Sequence, residues 1–186
     1  MKNKVPWIIG VTGASGAIYA TRLLRHLQKT QIDTHLLLSD AGAQVLEHEK
    51  QTKIMDLATK SFAKDDWFAP PASGSADYAG MVIIPCSMGT LAKIAHGIAD
   101  NLLTRAASVC LKENRPLIVV PRETPMGKIH LENMLKLSEA GAGVIPACPH
   151  FYQNPTTVEQ VVDTVVAKVL QQMKIPQNLV KPWGKS

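Results

Sequence analysis

A run of glycines and other small residues, residues 10–17 (GVTGASGA), follows a short apolar stretch near the start of the chain. Small side chains let the backbone approach a ligand closely, and a helix that begins there offers unpaired N–H groups to a phosphate. The spacing G-x-x-G-x-x-G differs from the G-x-G-x-x-G dinucleotide motif, and the lysine of a P-loop is missing. The run therefore predicts either a loop that contacts a phosphate or simply a tight turn between a strand and a helix.

Hydroxyl residues follow two further apolar stretches. Ser39 and Asp40 come directly after one of them, and residues 85–90 (PCSMGT) come after another. The hydroxyls of residues 85–90 suit a phosphate or the polar edge of a flavin, but taken alone they are better interpreted as helix caps. Asp40 is as consistent with a helix N-cap as with a ribose-binding acid, which weakens an NAD hypothesis. Cys86 has no evident catalytic partner, and we interpret it as a small buried apolar side chain.

Charged side chains stand at positions where burial would be costly. Arg122 and Glu123 follow the apolar run LIVVP, and Arg105 and Lys112 lie in a helical segment otherwise rich in Ala, Leu and Val. Each of these, taken singly, is more often a solvated or snorkelling side chain than a functional one. The same holds for Tyr152 and Lys168 in the last part of the chain. The histidines lack metal-ligand spacing, and three are interpreted as structural: His96, His130 and His150.

Short apolar runs alternate with segments of helical periodicity along the whole chain. Strands are predicted at residues 7–11, 34–38, 81–84, 117–120 and 144–145, and helices at residues 17–27, 41–50, 87–95, 101–113, 130–140 and 156–173. A long surface loop is predicted at residues 60–79. This alternation indicates an α/β fold, a doubly wound Rossmann-like or flavodoxin-like parallel sheet with helices on both faces, and one domain over residues 1–186. Because ligands bind beyond the carboxyl ends of such strands, residues 12–16, 39–40, 85–90 and 121–125 are the candidate site.

The bulk composition narrows the classes of protein. The chain has 186 residues, 46% of them apolar, and a net charge of +5 from scattered basic residues. A nucleic-acid surface normally shows a basic patch or stripe, so a small anionic ligand is favoured and no nucleic acid is expected. Three widely spaced cysteines favour reduced thiols. No stretch has the length of a membrane span or a signal peptide, so we expect a cytoplasmic protein with no membrane partner.

Several motifs, in order and spacing, resemble the UbiX-type flavin prenyltransferases over nearly the whole chain. They are G-x-x-G-A-S-G-A-I-Y at residues 10–19, P-C-S-M-x-T at 85–90, L-L-T-R-A-A at 102–107, V-P-R-E-T-P at 120–125, H-L-E-N-M at 130–134 and P-x-F-Y at 149–152. Each motif alone is weak, whereas the ordered set is specific. The resemblance implies an FMN-binding enzyme that uses dimethylallyl phosphate, assembled as a homododecamer with its sites at subunit interfaces.

The resemblance also implies roles for particular residues. Contacts to FMN are implied for Gly13, Ala14, Ser15, Ser39, Ser87, Met88, Gly89, Thr90 and Arg122. Binding of the prenyl phosphate, or help with its departure, is implied for Arg105, Lys112, Glu123, Tyr152 and Lys168, and Glu49 and Trp183 match further site positions. Glu123 is the candidate acid–base group, with Arg122, Lys112, Arg105 and Glu49 completing the catalytic set. The chain departs from the commonest pattern at Gly89, where relatives often have Lys, and at residues 76–78.

The activity implied is metal-independent transfer of a dimethylallyl group to N5 and C6 of reduced FMN. The product would serve a UbiD-type decarboxylase, in ubiquinone biosynthesis or another aromatic decarboxylation. No D-D-x-x-D cluster is present to hold Mg²⁺ on a diphosphate, since Asp65 and Asp66 are followed by Trp-Phe-Ala. Fixed Lys and Arg would take up the leaving-group charge instead, which fits a monophosphate donor.

Three alternatives remain open. An FMN-dependent cysteine decarboxylase would share the fold and the flavin loop, but its P-A-S-A-N-T-type segment has an Asn that residues 85–90 lack. A non-catalytic carrier would deliver FMN to a decarboxylase and have no use for the cationic residues. Direct decarboxylation of an aromatic acid by this chain is the least favoured.

Overall fold

The computed structural model describes residues 5–181 and residue 184. Six parallel strands form one sheet in the order β3-β2-β1-β4-β5-β6. Their bounds are β1 Trp7–Val11, β2 Thr34–Leu38, β3 Lys60–Phe62, β4 Gly80–Cys86, β5 Leu117–Pro121 and β6 Gly143–Val144. The order is that of a Rossmann-like sheet, and without the short edge strand β3 it becomes the flavodoxin-like order. The predicted doubly wound α/β class is confirmed.

Both faces of the sheet are buried, which explains why the strands read as continuous apolar runs. Successive residues of a strand point to opposite faces, so Ile9 and Val82 join one core cluster while Ile8 and Met81 join the other. The first cluster packs against α1 and α6, and the second packs against α3, α4 and α5. Helices therefore cover both faces, as predicted.

The helices alternate with the strands along the chain. Their bounds are α1 Ala17–Lys29, α2 Asp40–His48, α3 Met88–Ala95, α4 Leu102–Lys112, α5 Lys128–Glu139 and α6 Val158–Gln172. Four begin at a residue whose side-chain oxygen accepts a bond from a backbone N–H of the first turn: Ser39, Ser87, Asn101 and Thr157. Such caps satisfy N–H groups that would otherwise lack partners. The predicted helices are confirmed, with ends that differ by at most two residues.

The prediction of one long loop at residues 60–79 is wrong in part. Lys60–Phe62 forms the edge strand β3, paired with β2, and Pro70–Ala72 forms a 3₁₀ turn. Tyr78 is buried, and its hydroxyl lies 2.7 Å from Nδ1 of His35. A strand of three residues shows no usable periodicity, and only its pairing with β2 defines it.

The β1–β4 pair is the point where the direction of winding reverses. From β1 the chain proceeds outward through β2 and β3, and then returns to β4 on the other side of β1 and proceeds through β5 to β6. The loops after β1 and β4 therefore leave the sheet side by side and diverge, opening a crevice at the carboxyl edge. None of the helices within the described residues is long and apolar enough to cross a membrane.

An ion pair between α1 and α6 joins the first and last helices on one face of the sheet. Arg22 donates from Nε to Oδ1 of Asp163 at 2.8 Å, and a second contact joins Nη2 to Oδ2. The Asp163 side chain is only 10% exposed and that of Arg22 is 25% exposed. Such a two-point pair away from water fixes the angle between the helices, because its geometry tolerates little movement.

We predict that Asp163→Ala lowers the free energy of unfolding by about 2–3 kcal/mol, because it leaves the guanidinium half-buried without its partner. Glu132→Ala is the matched control, since Glu132 pairs with Lys128 on the exposed face of α5. Removing that pair should change stability by about 0.5 kcal/mol or less. Urea denaturation of both variants measures the difference, and equal losses would contradict a special role for the α1–α6 pair.

Candidate active site at the carboxyl edge of the sheet

Thr12, the first residue after β1, ties the two central strand exits together. Its side chain is fully buried. Its hydroxyl donates to the carbonyl of Pro85 at 2.9 Å and accepts from the backbone N–H of Ser87 at 2.7 Å. The sequence placed Thr12 in a candidate exit but assigned it no role. Two small loops are thereby fixed to each other at the switch point.

Gly13 allows the loop after β1 to lie against the first turn of α2. A Cβ at Gly13 would stand 2.4 Å from the Cβ of Ala41, well inside van der Waals contact. Gly42 is equally tight from the other side, since its added Cβ would lie 2.5 Å from the carbonyl oxygen of Val11. The glycines of this region are thus required by close backbone approach, as the small-residue run indicated.

The two serines of the candidate site are helix caps. Ser39 Oγ accepts from the N–H of Gly42 at 3.0 Å. Ser87 Oγ accepts from the N–H of Thr90 at 3.3 Å and contacts the Thr90 hydroxyl at 3.0 Å. The capping interpretation of residues 85–90 is confirmed at Ser87, whereas the cap before α2 is Ser39 and not Asp40, which is the first helical residue. Capping holds both serines at the mouth of the crevice.

A cavity of about 520 Å³ opens at this edge of the sheet, within the size range of small-molecule sites. Five residues of the expected FMN set line it: Gly13, Ser39, Ser87, Gly89 and Thr90. Its volume, its backbone donors and its hydroxyls suit a flavin nucleotide.

Part of the cavity wall was missed by sequence reasoning. Three of these wall residues belong to the segment predicted to be a surface loop: Lys64, Asp65 and Trp67. Three more come from α3 and the turn before α4: Lys93, Asp100 and Asn101. The large aromatic side chain of Trp67 within a polar stretch was the available signal. Lys64 pairs with Asp40, and Lys93 pairs with Asp100, so charged pairs stand on two sides of the cavity.

Gly89 is not required by lack of space, since a Cβ added there meets no atom within 4 Å. Lys93, one helical turn further along α3, lines the same cavity. Residues four apart lie on the same face of a helix. A lysine therefore remains on this face of α3 although position 89 has none.

The first turn of α1 is occupied by a carboxylate of the chain itself. Glu49 accepts from the N–H of Gly16 at 3.0 Å and from the N–H of Ala17 at 2.8 Å. The expectation that these N–H groups are unpaired and available to a phosphate is therefore wrong. Glu49 is half-buried at the end of α2, and its negative charge lies at the positive end of the α1 dipole.

Arg122 and Glu123 stand at the exit of β5. Arg122 donates from Nε to the carbonyl of Ser15 at 3.0 Å, so its guanidinium lies beside the loop after β1. Glu123 is half-buried, and its carboxylate accepts from the N–H of Thr124 at 3.0 Å. The structure thus brings Arg122 to the expected FMN loop.

Tyr152 and Lys168 both lie close to His150. The rings of His150 and Tyr152 are stacked, with centroids 4.0 Å apart and an angle of 9° between planes. Burial lowers the pKa of the His150 imidazole, and Lys168, on α6, lies near enough to lower it further. These two expected phosphate ligands therefore belong to one cluster.

Arg105 and Lys112 do not join that cluster through any described contact. Arg105 donates from Nε to the carbonyl of Ala72 at 3.0 Å, and Lys112 pairs with Glu113 at the last turn of α4. Because α4 starts beside the cavity and rises 1.5 Å per residue, Lys112 lies about 15 Å further along its axis. Trp183 lies outside the described residues. One chain by itself does not gather the whole expected set.

Cys86, His96 and His130 have the surroundings of structural side chains. Burial raises the pKa of the Cys86 thiol to about 12, so this side chain stays protonated near neutral pH. His96 contacts the side-chain oxygen of Asn133 at 2.9 Å, and His130 accepts from the N–H of Gly127 at 3.2 Å. Among residues 5–181 and 184, no group of His, Cys, Asp and Glu side chains is arranged to hold a metal ion.

Comparison with known proteins places this fold and crevice in one class. The model of the family described as Flavoprotein matches residues 1–178, so the class is that of an α/β flavoprotein. The chain is 47% identical to the flavin prenyltransferase UbiX of Halalkalibacterium halodurans, over 96% of this chain and 93% of the relative. It belongs to the UbiX-type flavin prenyltransferases within the flavoprotein family.

Two solved structures agree with this assignment. A crystal structure of AnUbiX (PadA1) in complex with FMN and dimethylallyl pyrophosphate superposes with a TM-score of 0.95 at 34% identity, covering 99% of this chain and all of that one. A dodecameric FMN-dependent UbiX-like decarboxylase from Escherichia coli O157:H7 superposes with a TM-score of 0.93 at 42% identity, covering 97% of this chain and 100% of that one.

We predict that Gly13→Ala lowers the free energy of unfolding by about 1–3 kcal/mol, because the new methyl group forces α2 away from the loop after β1. Gly89→Ala is the matched control, since that position is open and on a helix. It should be neutral or stabilise by at most about 1 kcal/mol. Chemical denaturation of the two variants decides the matter, and equal tolerance at both positions would disprove the close approach.

Proposed function

We propose that this chain joins the dimethylallyl group of dimethylallyl phosphate to N5 and C6 of reduced FMN, with all of residues 1–186 acting as one FMN-binding domain. The observation that carries the proposal is the cavity of about 520 Å³ at the switch point, with Gly13, Ser39, Ser87 and Thr90 in its wall. The bound flavin would supply the nucleophilic ring atoms. The protein's own residues must bind it, position the prenyl donor and neutralise the departing phosphate.

The FMN contacts would come from three strand exits. The loop after β1 contributes Gly13, Ala14 and Ser15, and the start of α3 contributes Ser87, Met88, Gly89 and Thr90. Ser39 lies at the exit of β2, and Arg122, from the exit of β5, lies beside Ser15. Backbone N–H groups and hydroxyls at such exits suit the polar edge and phosphate of a flavin nucleotide. Since Glu49 fills the first turn of α1, the flavin phosphate would be held elsewhere along this edge.

The phosphate of the prenyl donor would be bound by fixed cations. Lys168 and the hydroxyl of Tyr152 provide one group, and Arg122, at the exit of β5, provides another cation. Charge-assisted hydrogen bonds from such groups stabilise the dianion as it leaves, without a metal ion. A protected cavity also keeps water from the allylic cation.

Arg105 and Lys112 would reach the phosphate from neighbouring copies of the chain. Their separation from the Tyr152 cluster within one chain is what an interfacial site requires, and the E. coli relative is dodecameric. Exposed apolar side chains are available for such contacts: Phe68, Ile129, Leu131 and Leu135. Exposed large apolar side chains are suited to burial by a partner. We therefore propose a homododecamer with sites shared between subunits.

Glu123 would move the proton between the phosphate and the flavin, with Glu49 as a second acidic group near the loop after β1. The prenylated flavin would be passed to a UbiD-type decarboxylase, with ubiquinone biosynthesis as one destination. A cysteine decarboxylase activity is less favoured, because residues 85–90 lack its Asn and the 47% identity is to a prenyltransferase. A peptidyl-cysteine substrate that reduced the bound flavin would favour that alternative.

We predict that anaerobic incubation with reduced FMN and dimethylallyl phosphate yields a flavin heavier by one isoprene unit, measured by mass spectrometry.

Lys168→Ala should lower kcat/KM by about 10- to 100-fold, because a charge-assisted contact to the donor is lost, while FMN binding is unchanged. Lys29→Ala, which removes the same charge from the last turn of α1, is the control. If the unaltered chain gives no heavier flavin, and Lys168→Ala binds and delivers FMN as well as the unaltered chain does, the FMN-carrier alternative is favoured.

We predict that Glu123→Gln slows prenylation by about 100-fold or more, because the amide keeps the shape of the side chain but cannot carry a proton between phosphate and flavin. FMN affinity should stay within a factor of about two, since the FMN contacts lie in the three loops described above. Single-turnover absorbance and flavin titration separate these effects. Full activity in Glu123→Gln would remove this residue from the acid–base role.

A further inference from the structure

His150 lies in the loop before α6, and none of the roles proposed above uses it. Its ring is stacked on Tyr152 with centroids 4.0 Å apart, which is close to the minimum for parallel rings. Its backbone N–H donates to the hydroxyl of Thr164 at 3.3 Å. Thr164 and Lys168 are four residues apart on α6, so one face of that helix holds the loop and presents the lysine.

One ring atom of His150 has an unmet hydrogen-bonding requirement. Nδ1 is buried and has no hydrogen-bond partner among residues 5–181 and 184. The other structural histidines differ, since His96 and His130 have partners for their ring nitrogens. A buried polar atom without a partner is costly and unusual in a folded protein. A ligand that accepts a hydrogen bond would remove that cost.

The surroundings of His150 keep its ring neutral while no anion is bound. Burial lowers the pKa of the imidazole, and the positive charge of Lys168 lowers it further. Tyr152 on the same loop and Lys168 on α6 are the titratable groups that the described residues place against it. A phosphate dianion bound by Lys168 and Tyr152 would reverse this balance, because an adjacent negative charge favours the protonated ring.

We propose that His150 is a third phosphate-recognition residue, which holds the ring of Tyr152 by stacking and takes up one proton from solvent when the phosphate of the prenyl donor binds beside Lys168. The proton returns to solvent when inorganic phosphate leaves, so the cycle is balanced. The inference rests on the proposed function for the identity of the donor. It replaces the interpretation of His150 as purely structural.

The sign of the pH dependence follows from this cycle. Below the pKa of the unliganded ring, His150 is already protonated, and above the pKa of the liganded ring it stays neutral. Between these two values, binding takes up a proton, so affinity for phosphate falls as the pH rises. The second ionisation of a phosphate monoester lies at about pH 6 and that of inorganic phosphate about one unit higher, so protons that inorganic phosphate itself releases on binding are the same for every variant, and the difference between variants counts the proton of His150.

The test uses calorimetric titration of the full chain with inorganic phosphate in two buffers of different ionisation enthalpy, which counts protons taken up. His150→Phe keeps a ring for Tyr152 but cannot take up a proton, and His150→Gln keeps a polar atom without a ring. His48→Gln is the control, since His48 is exposed at the end of α2. On binding, the unaltered chain and the control should take up about one proton more than either His150 variant.

A kinetic measurement keeps the inference separate from the reaction itself. At about pH 7, His150→Phe should raise KM for dimethylallyl phosphate by about ten-fold with little change in kcat, and the pH dependence of KM should flatten. Proton uptake that is equal in His150→Phe and the unaltered chain would overturn the inference. Failure of the unaltered chain to prenylate FMN would instead count against the proposed function, because phosphate binding and its proton uptake do not require turnover.

Discussion

The hydroxyl of Thr12 joins the ends of β1 and β4, and the crevice exists in its present form because of that bond pair. It donates to Pro85 and accepts from Ser87, so the loop after β1 and the start of α3 cannot separate. The bonds are buried, where loss of one partner leaves an unsatisfied polar group. Gly13 and Gly42 then bring α2 against the same loop. Three strand exits are thus fixed around one cavity by the Thr12 hydroxyl and by the close approach that the two glycines allow.

The charged residues are organised differently from this rigid edge. Arg122 is held to the loop after β1, while Tyr152, in the loop before the last helix, and Lys168, in the second half of that helix, both lie close to His150. Lys112 lies at the far end of α4, paired with Glu113. A single phosphate cannot touch all of these within one chain, since about 15 Å of helix separates Lys112 from the cavity wall. Assembly of several copies is the physical way to bring such groups together.

Local patterns predicted the elements well where they are long or strongly apolar. The strands at residues 7–11 and 34–38 are confirmed at both ends, because parallel strands buried on both faces read as unbroken apolar runs. The edge strand Lys60–Phe62 was not predicted, since three half-exposed residues carry no periodic signal. The role of Ser87 as a cap was among the stated alternatives, because a serine before a helix has a local reason to be there, whereas the cap before α2 was expected at Asp40 and not at Ser39.

The sequence by itself determined the class of fold, the four strand exits that form the candidate site, and the family to which the ordered motifs belong. These depend on residues near one another in the chain, where spacing and side-chain type act directly. Only the tertiary structure decided that Glu49 closes the first turn of α1, that Trp67 and Lys93 line the cavity, and that His150 stacks on Tyr152 beside Lys168. Such contacts join separate elements, and their geometry follows from how helices pack on the sheet, which no local pattern records.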